Sequence, residues 1–282
     1  MKIKLLILAS LFIVILACNN DSIVWDDEYD ISVMSFNLRY DTDEDGDNKW
    51  RNRKEACLEM IKETSPSVFG IQEGLENQVT YLDDNLSDYK YVGVGRDDGE
   101  YFGEYCAVFY STQKFELLDS DTFWLSESPE IPSHGWDAVC KRIVTWVKLK
   151  DQNNGQVVYV FNTHFDHEGK EAREQSAKLL VAKIAEIVSD NVPVFITGDF
   201  NALKNNPILN PIFEHNFLDS RQEAKVSDNI KSFNFFGKWL LNSNIDFIFF
   251  KNADVLAFRT INKDYKVPFI SDHYPIISYF NY

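Results

Sequence analysis

Between Ile31 and Phe280 the chain alternates short apolar runs, most ending on a polar residue, with longer amphipathic stretches. Ile31-Ser32-Val33-Met34-Ser35-Phe36 predicts a strand, residues 51–64 a helix and 67–72 a second strand. Residues 75–86 read as a helix and 89–94 as a strand. The middle is strand-rich, with runs at 105–110, 115–118, 143–149 and 157–164. Over 168–189, Ala177, Leu180, Val181, Ile184, Ile187 and Val188 share one stripe, which predicts a long helix. Val192-Pro193-Val194-Phe195-Ile196 then predicts a buried strand delivering Asp199 to its end. A short helix near 208–215 and strands around 245–250, 255–259 and 276–280 complete the pattern. No Pro/Gly/Ser linker, repeat or low-complexity tract divides 30–282, so roughly 250 residues form one domain. Strand-heavy α+β, with two packed sheets and helices outside, is the class this pattern predicts.

The polar residues that end these runs carry the chemistry. Asn37 follows Val33-Met34-Ser35-Phe36, Glu73 follows Val68 to Gln72, His164 and Asp166 follow Val157 to Thr163, and Asp246 opens an apolar strand. Thr197-Gly198-Asp199-Phe200-Asn201 puts a carboxylate and a carboxamide two residues apart, on one face if the strand continues. Ser271-Asp272-His273 adds a carboxylate and an imidazole that titrates near neutrality. Each alone is weak, because strands commonly end on polar residues at the water boundary. Together they supply oxygen ligands for a hard cation, amide donors for an oxyanion and imidazoles, the parts of a metal-assisted phosphoester hydrolase.

The N-terminus predicts export. Lys2 and Lys4 precede an apolar stretch from Leu5 to Ala17, too short for a membrane span and suited to a secretory signal. It ends in Ile15-Leu16-Ala17-Cys18, which resembles the lipobox of bacterial lipoproteins. On that reading 1–17 is removed, lipidated Cys18 anchors the mature chain to a membrane of the cell envelope, and 18–29 is a polar tether. An ordinary signal peptide containing a cysteine is the bland alternative. The chain has 44 acidic and 28 basic residues, a formal net charge of −16. Such a surface disfavours tight tracking along nucleic acid and favours a small phosphorylated substrate. Cys57, Cys106 and Cys140 fit no zinc spacing and read as buried free thiols, although one disulfide among them stays open.

Ser35-Phe36-Asn37-Leu38-Arg39, Ile71-Gln72-Glu73, Asn162-Thr163-His164, Gly198-Asp199-Phe200-Asn201, Ile245-Asp246 and Ser271-Asp272-His273 occur in the order seen in the endonuclease/exonuclease/phosphatase superfamily. The chain resembles this deoxyribonuclease I-like group over essentially its whole mature length. The resemblance implies a four-layer α/β/β/α sandwich with the site at one end of two mixed, mostly antiparallel sheets. It implies a phosphodiesterase or phosphomonoesterase that uses Mg2+ or Mn2+, and a monomer is expected. Glu73 would hold the metal, with Asn37 and Asp272 beside it. Asp199 would activate the attacking water, Asn201 would donate to the phosphoryl oxygens, His164 and His273 would contact the phosphate, and Asp246 would orient His273. A secreted nuclease is the alternative activity, and a non-catalytic binding lipoprotein a weaker one.

Some residues stay open between two readings. Arg142 resembles the family arginine near the scissile phosphate but reads equally as an exposed strand-edge cation. Asp166 joins it as a substrate-binding candidate ahead of His167. Glu104 is a possible partner of His164. Asp41-Thr42-Asp43-Glu44-Asp45-Gly46 opens like an EF-hand loop, yet its twelfth position is Asn52, so it reads as a solvated acidic loop. Trp124 and Trp136 sit in loops expected to flank the cleft, where filling core space is the simpler role.

Overall fold

A computed structural model describes residues 28–189, 191–238 and 243–282. The expected signal segment and most of the tether lie outside the described residues. Among the described residues, one six-stranded sheet runs in the order β11 (Asp254–Thr260), β12 (Ile276–Asn281), β1 (Ile31–Asn37), β2 (Val68–Gln72), β4 (Val108–Ser111), β3 (Tyr89–Val92). The other runs β5 (Phe115–Trp124), β6 (Ile143–Asp151), β7 (Val157–His164), β8 (Val194–Asp199), β10 (Asp246–Lys251), β9 (Leu218–Asp219). Each sheet is antiparallel except for one parallel pair, β1 with β2 and β7 with β8. The carboxyl ends of these pairs carry Asn37, His164 and Asp199, with Glu73 one residue past β2.

Three apolar layers explain why the central strands are continuous hydrophobic runs. Val33, Val68, Val160, Phe195 and Phe280 pack between the sheets. Met34, Phe36, Phe69 and Ile71 point the other way, toward Trp50, Cys57 and Met60 of α1 (Trp50–Thr64) and Val79 and Leu82 of α2 (Glu76–Asn85). On the far side, Phe161 and Ile196 pack on Ala177, Leu180 and Ile184 of α3 (Lys170–Ile187). A strand such as β1 therefore buries both faces. Each such side chain contributes about 1.5–3 kcal/mol over its exposed state. The result is the α/β/β/α sandwich.

Toward the site the layer between the sheets turns polar. Asn162 of β7 donates to the carbonyls of Ile71 (2.7 Å) and Ala107 (3.1 Å) in the opposite sheet. Its oxygen accepts from Gln72 (2.7 Å) and Thr197 (3.0 Å). Gly70 makes room for this bridge, since a Cβ there would lie 2.4 Å from the Asn162 oxygen. The two sheets are thus tied in register just below the site.

Several elements differ from the sequence pattern for identifiable reasons. β5 continues past Leu118 to Trp124, through a bulge between Leu117 and Asp119. It is an edge strand, so its polar half can face water and looks like a turn in sequence. The run at 105–110 is regular only from Val108. Tyr105 instead makes isolated bridges to Gly74 and Gly95. The helix near 208–215 is a 3-10 turn (Pro207–Leu209) followed by α4 (Asn210–Glu214). All three described cysteines are free thiols, Cys57 and Cys106 buried as expected and Cys140 only partly buried.

Candidate active site

Strand register assembles the site. His164 pairs across the parallel ladder with Asp199, and Asp199 across the antiparallel ladder with Asp246, so three functional side chains form a row at one end of the second sheet. Asn37 ends β1 in the facing sheet. Its amide crosses between the sheets, donating to Asp199 Oδ2 at 3.1 Å and to Glu73 Oε1 at 3.0 Å. Asn37 and Asp199 end their strands in the same way, each accepting from the backbone N–H two residues on, Arg39 and Asn201, at 2.9 Å. Arg39, Glu73 and Asn201 all have left-handed backbone (φ 56°, 61° and 47°). Such conformations are unfavourable without glycine and concentrate at functional sites.

Asp199 Oδ2 is the hub, with His164 Nε2 at 3.6 Å and His273 Nε2 at 3.7 Å. Burial raises the Asp199 carboxyl to about 7, and neighbouring Asp246 pushes the same way against His273. Behind His273, Asp246 Oδ2 lies 2.9 Å from Nδ1, both side chains buried. Burial disfavours the imidazolium, but Asp246, Asp199 and Asp272 outweigh it and raise the His273 pKa well above the usual value. His273 is therefore held as a cation beside the Asp199 hub. Ser271 secures the turn, donating to the Asn37 carbonyl at 2.7 Å and accepting from the His273 N–H at 3.2 Å. The Phe233 ring lies on the imidazole at 4.8 Å between centroids.

His164 is the opposite case. Burial, with Arg142 and Arg96 adding positive charge, holds its pKa well below the ordinary value. Asn201 donates from Nδ2 to His164 Nε2 and to the Phe165 carbonyl, both at 3.0 Å. That fixes the neutral ring with its proton on Nδ1, which faces Glu104 at 3.9 Å. Asn201 differs here from the sequence expectation. The strand stops at Asp199, so alternation does not extend to Asn201, and its amide is occupied in orienting His164.

Arg142 is 3% exposed and so is not a surface cation. Its Nε meets Asp166 at 3.3 Å and Nη2 meets His167 Nδ1 at 2.9 Å, while Nη1 is buried without a partner. Asp166 is fully buried, and its second oxygen accepts from the Glu168 and Gly169 backbones. Asp166 thus reaches the site by holding Arg142, with no oxygen turned to the cleft. Two arginines escaped the sequence reading as site members. Arg39 binds Asp45 through two nitrogens and lies 4.0 Å from both Glu73 and Asp272. Arg96 forms a two-nitrogen pair with Glu104, at 2.6 and 2.8 Å, beside His164. Trp124 is buried and donates to the Arg96 carbonyl at 2.8 Å, as a core residue would. The loop beginning like an EF-hand forms a 3-10 turn (Asp43–Asn48) whose Asp45 is committed to Arg39.

The sequence model of the Endonuclease/Exonuclease/phosphatase family matches residues 34–273, taking in every one of these strand-end positions. The chain belongs to this family. Solved family members from Bacteroides are close over the whole fold. An endonuclease/exonuclease/phosphatase protein of Bacteroides vulgatus is 38% identical with a TM-score of 0.85, covering 89% of this chain and 98% of its own. A mannosyl-6-phosphatase of Bacteroides thetaiotaomicron is 32% identical with a TM-score of 0.83, covering 89% and 100%. A mimivirus protein is 24% identical over 250 residues, covering 82% of this chain and 92% of its own.

Members of the Endonuclease/Exonuclease/phosphatase family act on phosphoesters and generally depend on a divalent metal, and the donor set here fits one. Glu73, His164 and Asp199 offer ligand atoms within 4.8 Å of one another, as do Asp199, Asp246 and His273. Burial also raises Asp272 to about 6, against the pull of His273. Glu73 is lowered instead, because the Asn37 hydrogen bond, His273 and Arg39 outweigh its burial. Crowded buried carboxylates of this kind gain most from a hard cation. Of the residues expected at the metal, Glu73 lies in the first constellation. Asn37 turns its oxygen to the Arg39 backbone and orients Glu73, and Asp272 lies beside Arg39, outside both constellations.

Proposed function

We propose that the chain is a divalent-metal-dependent phosphatase acting on a small phosphorylated sugar by direct in-line attack of water. The observation that carries this reading is the full-length likeness to the mannosyl-6-phosphatase, 32% identical over 89% of this chain. The acidic surface supports it, because a formal net charge of −16 repels polyanionic substrates.

Asp199 is placed to take a proton from the attacking water, since its Oδ2 is the hub between the His164 and His273 imidazoles. His273, held as a cation by Asp246, neutralises charge developing on the phosphoryl oxygens. Arg142 offers its free Nη1 to the same group. Asn37 and Asn201 keep the Asp199 carboxylate and the His164 ring in place. A cation held by Glu73, with His164 and Asp199 in reach, would supply further charge neutralisation. Mg2+ is the first assignment and Mn2+ the second, because the donors are mostly oxygens. The N-terminal sequence supports export and a lipid anchor at Cys18, and the chain is proposed to act as a monomer.

Phosphate release from hexose 6-phosphates, p-nitrophenyl phosphate and its bis ester, measured beside plasmid nicking in Mg2+, Mn2+ and EDTA, tests this reading. Metal-dependent release from the monoesters with intact plasmid is expected. Nicked plasmid with untouched sugar phosphates would assign the chain to the nucleases.

A further inference from the structure

Two of the most exposed aromatic rings sit on a loop that ends at Glu104, a site side chain. Among the described residues nine large apolar side chains are exposed. Two of them, Tyr101 and Phe102, lie within three residues of Glu104, whose carboxylate is 3.9 Å from His164. At about 3.6 Å per residue that is no more than roughly 11 Å of backbone from a site side chain. Phe102 and Tyr101 stand out, at 73% and 61% exposure.

Their loop is built rigidly. The Asp98 carboxylate accepts from the Glu100 and Phe102 backbones at 2.8 and 3.0 Å. Asp97 N–H donates to the Phe102 carbonyl and Gly95 N–H to the Glu100 carbonyl. Tyr105 Oη donates to Glu100 O, Trp124 Nε1 to Arg96 O, and Lys141, next to Arg142, donates from Nζ to Asp97 O. The base of the loop is the Arg96–Glu104 pair, with Glu104 3.9 Å from His164. Holding two aromatic rings in water on a fixed loop loses their burial energy, and gains it back only when something covers them.

We infer that Phe102 and Tyr101 form a stacking platform for the sugar ring of the substrate, which makes them specificity-determining residues of this phosphatase. The inference rests on the sugar-phosphatase reading above. A hexose ring has an apolar C–H face that packs on an aromatic ring and hydroxyl edges that stay hydrated, which suits rings half in water. A phosphate bound at His273 and Arg142 would leave the sugar ring outside the buried polar floor, toward the exposed side of the Glu104 loop.

The test compares wild type with Phe102→Ala, Tyr101→Ala and the double variant, using mannose 6-phosphate, glucose 6-phosphate and the acyclic control ethyl phosphate. Both positions are exposed, so folding should be unaffected, and Tm checks this. The platform predicts that KM for the hexose esters rises about five- to tenfold, with kcat/KM for ethyl phosphate within twofold of wild type. An equal loss on all three esters, or no loss on any, overturns it. Loss of binding to neutral phosphatidylcholine vesicles at unchanged hexose KM also overturns it, in favour of a membrane-facing role. If wild type hydrolyses none of the esters, the phosphatase reading itself fails. Calorimetric binding of mannose 6-phosphate then decides the platform, which stands if Phe102→Ala weakens binding and falls if it does not.

Discussion

His273 and Asp246 come from different segments, a loop before the last strand and the start of β10, yet Nδ1 and Oδ2 lie 2.9 Å apart with both side chains buried. The pair makes His273 a fixed cation. Replacing Asp246 with Asn keeps the shape and removes the charge. Because Asp246 raises the His273 pKa, the alkaline limb of kcat/KM should move to lower pH in Asp246→Asn, and turnover at pH 8 should fall about 10²-fold. A pH–rate profile for both proteins checks this. An unmoved limb would separate His273 ionisation from catalysis.

Metal binding should carry protons with it. Asp199, raised by burial to about 7, is largely protonated at pH 6 without metal. A cation there must displace protons, so calorimetry in buffers of different ionisation enthalpy should show release of about one proton at pH 6 and almost none at pH 9. The sign for stability follows. A carboxyl whose folded pKa is raised weakens the metal-free fold as pH climbs from its unfolded value of 3.8 toward 7. A divalent cation should therefore raise Tm more at pH 8 than at pH 5.

Gly70→Ala tests the polar bridge under the site. The added Cβ would meet Asn162 Oδ1 and Thr197 Oγ1 at 2.4 Å, and the Asn162 side chain cannot move without leaving the Ile71 and Ala107 carbonyls. Destabilisation of about 2–4 kcal/mol in urea titration is expected. A neutral effect would mean that the inter-sheet bridge is slack.

Arg142 and Asp166 should separate by readout. Arg142→Lys keeps a charge beside Asp166 but loses the fork, so KM should rise about tenfold with a smaller loss of Tm than in Asp166→Ala. Asp166→Ala leaves the guanidinium buried and unpaired, which costs about 3–5 kcal/mol of stability. Thermal melts beside kinetics distinguish the two. Equal effects on both quantities would contradict the division of labour.

Much of the sandwich was legible because its central strands bury both faces and so read as continuous apolar runs ending on polar residues. The pairing of Asp246 with His273 was expected through family resemblance, and the structure brings the two together. Local chain reversals were not legible. Nothing in the alternation announces that the chain turns left-handed at Asn201 and diverts its amide to His164. Nor does spacing reveal that Asp166 spends its oxygens inside the protein, that Arg96 closes on Glu104, or that Phe233 covers His273. Those contacts depend on where loops meet, which a one-dimensional pattern does not encode. The polar half of β5 was missed for a related reason, since an edge strand facing water resembles a turn.

The central claim is that Asp199 activates water in a metal-assisted phosphatase. Its most direct measurement is phosphate release from mannose 6-phosphate by wild type and Asp199→Asn, each with Mg2+ and with EDTA. The account predicts turnover by wild type in Mg2+ alone and a loss of about 10³-fold or more in the variant, with its melting temperature retained. Comparable turnover by Asp199→Asn, or full wild-type activity in EDTA, would contradict it.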